Sequence, residues 1–116
     1  MQLQLDFGPS ASVVTASIPA QFNKFALYEW GFSVAANTAY VAVNGAETVV
    51  SLGGQGPFTS TGDKPLTMFY RDDASTETHP QSMTAGLKLM SGFGTYHSAA
   101  LRAKYREQLI DRFALS

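Results

Sequence analysis

The chain has 116 residues, which suits one domain able to bury roughly two-thirds of the surface its unfolded chain would expose. Nearly half of the residues are apolar and few are charged, which excludes a disordered polyelectrolyte. A formal charge of −1 excludes a binder of phosphate backbones that works by counterion release, so nucleic acid is not expected as a partner. The absence of cysteine removes disulfides, thiolate nucleophiles and sulfur-ligated zinc, and cytosolic assembly is the simplest reading.

Leu3, Leu5 and Phe7 alternate with Gln2, Gln4 and Asp6, the period of a half-buried strand, and Gly8 and Pro9 break it. That alternation is not the basic-then-apolar pattern of a secretory signal, and no run is long enough to span a membrane. Residues 12–18 are rich in β-branched side chains and predict a second strand that ends at Pro19. Tyr28, Trp30, Phe32 and Val34 line one side of a third segment, expected to be a central strand with its aromatics in the core. Next comes Asn44-Gly45 between two β-rich runs, 39–43 and 47–52, which predicts a hairpin closed by a type I′ turn.

Further short strands are expected at 58–61 and 66–71. A polar loop should fill 72–80, and 83–90 reads as a strand in preference to a helix. The period then changes. Leu101, Tyr105, Leu109 and Phe113 recur every four residues after Ser98, a ready N-cap, and predict an amphipathic helix of about four turns. The expected fold is therefore mainly β, an antiparallel sandwich or small barrel (a jelly roll being one form), with a single C-terminal amphipathic helix. Residues 1–97 form the β-sandwich domain in this reading, and 98–116 the helix of the same domain.

Parts for catalysis are scarce. His79 near Asp72, Asp73 and Glu77 resembles a common solvated loop more than a metal site, and His97 reads as a surface or interface residue. No Gly-x-Ser-x-Gly elbow is present, and the glycines at 53, 54 and 56 lack the lysine and helix of a phosphate loop. No catalytic, cofactor-binding or metal-binding residue is expected, and hence no enzyme activity.

Charge is placed unevenly. From residue 102 onward Arg102, Lys104, Arg106 and Arg112 outnumber Glu107 and Asp111, whereas the preceding part is acidic. An apolar stripe beside basic residues makes Leu101, Arg102, Tyr105, Arg106, Leu109, Arg112 and Phe113 the interface candidates, suited to a second copy or an acidic partner surface. For the charge alone, a solvated helix face is the plainer reading and docking on an acidic partner is the alternative.

The run Ala35-Ala36-Asn37-Thr38-Ala39-Tyr40-Val41-Ala42-Val43-Asn44-Gly45, followed by Val49-Val50-Ser51-Leu52-Gly53-Gly54, resembles the small-residue β-hairpins of tailed-bacteriophage virion proteins, with capsid decoration or cement proteins as the nearest class. The resemblance covers about a third of the chain and ends before the helix. It implies a non-enzymatic virion structural protein, assembled in the host cytoplasm, that forms homo-oligomers on the major capsid or another virion protein and stabilises the shell. A head-to-tail or tail component is a neighbouring possibility. The runner-up is a ligand- or carbohydrate-binding β-sandwich module with Trp30 in its binding face.

Overall fold

The structure is a computed structural model that describes residues 1–8, 12–57, 70–71, 81–82, 89 and 92–115. The chain divides into two compact units, Met1–Ser60 with Phe93–Ser116, and Thr61–Gly92. It is mainly β, with antiparallel sheets and one C-terminal helix, as the strand periods and turn residues predict.

In the first unit, strands β1 (Gln2–Leu5) and β2 (Val14–Ser17) pair antiparallel, Gln2 opposite Ser17 and Leu5 opposite Val14. The period-2 pattern of the N-terminal strand places Leu5 and Phe7 in the core beside Ala39 and Leu52, with Leu3, Val14, Phe32 and Val50 packed around them. Three further strands, β3 (Tyr28–Ser33), β4 (Thr38–Val43) and β5 (Ala46–Ser51), form an antiparallel meander in that order. β1 and β2 lie over β4 and β5, which gives two facing layers. The alanines of β4 suit this crowded place, because small side chains let both covering layers approach.

The meander corrects the reading of the aromatic strand. Among the described strands β3 is at the edge of its sheet and β4 is central. Because the β1–β2 layer lies over β4 and β5, only Phe32 of β3 reaches the core cluster, while Trp30 remains 56% exposed and Tyr28 is exposed beside it on the same face.

The Asn44-Gly45 hairpin forms as expected. Asn44 has φ 48° and Gly45 has φ 94°, both positive as a type I′ turn requires. Asn44 also ties the turn to the start of β3, its Oδ1 accepting from Leu27 N–H at 2.8 Å while its own N–H donates to Leu27 O at 2.9 Å.

Helix α1 (Ala99–Phe113) starts where Ser98 predicts, the Ser98 hydroxyl accepting from Leu101 N–H at 3.3 Å. It ends in a Schellman arrangement, with Ala114 N–H donating to Asp111 O and Leu115 N–H to Ile110 O. In the second unit, β6 (Tyr70–Arg71) and β7 (Gln81–Ser82) pair antiparallel. β6 falls at the end of the strand expected over 66–71. The strand expected at 58–61 and the loop at 72–80 lie outside the described residues, as do 83–90 apart from Leu89.

Two substitutions test these local devices. Gly45→Val forces a β-branched residue to positive φ and places a Cβ 3.2 Å from Arg106 Cδ, so it should lower stability by at least about 1 kcal/mol in urea unfolding. Ala114, an alanine at φ 50°, is strained in the opposite sense, and Ala114→Gly should raise stability by about 1 kcal/mol.

Candidate functional site

Opposite residues in an antiparallel pair project to the same side of the sheet. Glu29 of β3 faces Ala42 of β4, and Ala42 faces Glu47 of β5, so two carboxylates flank a methyl group in one row on the sheet face away from the β1–β2 layer. The next row is Gly31, Tyr40 and Val49. Gly31 is required there: a Cβ would lie 2.6 Å from Tyr40 Cε1, so the tyrosine ring rests directly on the glycine backbone.

Helix α1 meets this face with its arginines. Arg102 and Arg106 are four residues apart and therefore neighbours on one side of the helix. Arg102 Nη2 donates to Glu47 Oε1 at 2.7 Å and its Nη1 to His97 O at 2.8 Å. Arg106 Nε donates to Glu29 Oε2 at 2.6 Å, and its Nη2 reaches Glu47 Oε2 at 3.0 Å. Glu47 thus accepts from both arginines, and Arg106 joins both glutamates. The Arg102 guanidinium carbon also lies 4.1 Å from the centre of the Tyr40 ring and 5.4 Å from that of Tyr96. Only 6% of Arg102 is exposed, and it is the one fully buried residue among those described on the helix.

The cluster holds its charges by mutual neutralisation. Burial pushes the Glu47 carboxyl up, but hydrogen bonds from Arg102 and Arg106 outweigh that and hold it below the usual carboxylate range. Burial likewise works against the charged forms of both arginines, and their bonds to glutamate keep them firmly protonated. Burial pushes the Tyr40 hydroxyl up, with Arg102 opposing and the two glutamates reinforcing. A carboxylate locked in its ionised form between two guanidinium groups is a poor proton acceptor or donor near neutral pH. The arrangement fits clasping a helix to a sheet.

Of the basic residues singled out on the helix, Arg102 and Arg106 meet acidic partners on this chain. The four-residue stripe divides between two environments. Four residues advance a helix by about 40° more than one turn, so the stripe winds around the axis. Leu109 and Phe113 come half-buried, whereas Leu101 and Tyr105 stay 38% and 40% exposed. Arg112 is exposed, with its guanidinium carbon 5.5 Å from the centre of the Phe113 ring. His97 joins an aromatic group with Phe93 and Tyr105, whose rings stack at 5.5 Å.

Glu29, Glu47, Tyr40 and Tyr96 carry no motif, and sequence reasoning missed them. The available signal was two arginines at helical spacing together with a glutamate in each of two β segments. Among the described residues no group of histidines and carboxylates could hold a metal ion. His79 and its acidic neighbours lie outside those residues. No described helix is long and apolar enough to cross a membrane.

No protein-family model, curated protein or solved structure matches the chain.

Removing Arg102 leaves Arg106 as the one described guanidinium for both Glu29 and Glu47, and empties a buried site against Tyr40. Arg102→Ala should therefore cost about 3 kcal/mol in urea unfolding. The half-exposed neighbour Leu101, changed to alanine, should cost less than about 1 kcal/mol.

Proposed function

We propose that the chain is a non-enzymatic assembly protein of the tailed-phage virion, of the decoration or cement type, forming homo-oligomers on a capsid shell and reinforcing it. One observation supports this reading above the others: large apolar side chains of the helix and of β3 are left exposed to water. α1 turns two arginines to the sheet and leaves Leu101 and Tyr105 half-exposed, while β3 leaves Tyr28 and Trp30 in the open. Exposed apolar surface gains free energy when another surface covers it, and subunit contacts are the general means of covering it. The small-residue hairpin of β4 and β5, similar in texture to phage virion proteins, supplies the choice of setting.

Native mass spectrometry of the full chain should give a symmetric oligomer, and the oligomer should bind capsid shells of its own phage. A strictly monomeric chain at micromolar concentration would overturn the proposal. Because Trp30 is half-exposed, Trp30→Ala should keep the fold with a stability loss below about 2 kcal/mol, well short of the loss for a fully buried aromatic, and should weaken the oligomer.

The same tryptophan favours a second reading, a carbohydrate-binding module in which the Trp30 and Tyr28 rings form a stacking platform. A monomer that binds glycans, and loses that binding in Trp30→Ala, would favour this reading over the first.

A further inference from the structure

The apolar core of the first unit lies between β1–β2 and the far face of the β3–β5 sheet, and its cluster contains no residue of α1. The near face is covered by a charged layer. The groups that face one another there, among the described residues, are Glu29 from β3, Tyr40 from β4, Glu47 from β5, Tyr96 and the His97 carbonyl from the segment before the helix, and Arg102 and Arg106 from α1. Two guanidinium groups meet two carboxyl groups there, and Glu47 is the one that both arginines reach.

We propose that α1 is a charge latch: protonation of Glu47 releases it from the sheet while the β1–β5 sandwich stays folded. Three observations carry this. The one buried described residue of the helix is a cation, so docking α1 buries Arg102 at a desolvation cost, and Glu47 is the carboxylate that supplies its counter-charge. Glu47 is shared by both arginines, so one protonation weakens both attachments together. The helix has 15 residues, a length at which an isolated helix is marginal in water, so a released α1 melts.

The direction with pH follows from Glu47. Its carboxyl is held below the usual range in the folded chain, so its contribution is present above the ordinary carboxylate pKa of about 4.3 and is lost as pH falls through the lowered value. Protonated Glu47 leaves Arg102 charged and buried without its counterion and takes from Arg106 one of its two carboxylate contacts. The release converts a charge change at one carboxylate into order or disorder of the C-terminal segment.

Hydrogen exchange by mass spectrometry on the full chain, corrected for the intrinsic effect of pH, tests this between pH 7 and about pH 3. The expected result is that amides of residues 101–113 lose protection at least about tenfold more than those of β4 at the same pH. Loss of protection in helix and sheet together would overturn the proposal, and so would an unchanged helix. Glu47→Gln keeps a hydrogen-bond acceptor without the charge. In that variant the helix should already exchange faster at pH 7, and acid should add little; a helix as well protected as in the parent would also overturn it. Should the variant fail to fold, the titration of the unaltered chain still decides.

Discussion

β4 is covered on both faces, and the coverings are of different chemistry. Ala39, Val41 and Val43 project towards the β1–β2 layer, and Tyr40 and Ala42 project towards α1. Every other described element of the first unit is placed by this demand. β1 and β2 supply the apolar cover, β3 and β5 flank the strand with ladder hydrogen bonds and one glutamate each, and α1 lies over the remaining face with its arginines inward. Small residues make the position workable, because a strand of bulky side chains would hold the two covers apart.

The second cover is unusual for a terminal helix. An apolar stripe would gain free energy by losing contact with water, without any precise geometry. A layer of guanidinium and carboxylate groups gains only when donors and acceptors meet at hydrogen-bond distance, because their desolvation is costly. The structure meets that demand at the carboxylates, both of which are engaged, while Arg102 is stacked on Tyr40 with its buried Nε left without a hydrogen-bond partner, and Tyr40 rests on Gly31. Such a layer specifies one docked geometry of the helix and makes the docking sensitive to proton concentration, which an apolar contact would not be.

The inward turn of the arginines also explains what faces outward. With the sheet-facing side of α1 given to charge, Leu101 and Tyr105 lie at its flank, and Tyr105 is covered in part by Phe93. On the opposite face of the sheet, the β1–β2 layer leaves Trp30 and Tyr28 open at the edge strand. An assembly protein and a sugar-binding module would both use exposed aromatics. They differ in whether a second copy or a ring of hydroxyls covers them.

The strands of the first unit, the hairpin turn and the helix N-cap were legible because each is decided within a few residues. Alternation at Leu3, Leu5 and Phe7, positive φ at Asn44-Gly45, and a serine hydroxyl three residues before an amide are local matters of sterics and hydrogen bonding. The interface candidates on the helix were legible only in part. Their spacing defines a helix, but which arc of it faces the sheet depends on charges more than fifty residues away in the chain. The edge position of β3 and the exposure of Trp30 likewise follow from strand order and from where the other layer lies, which no periodicity in that segment encodes. The sequence by itself determined the class of each of these elements and their turns, because those are short-range. Only the tertiary structure decided that glutamates on β3 and β5 would claim the arginines of α1, because pairing across such separations is selected by the whole packed arrangement.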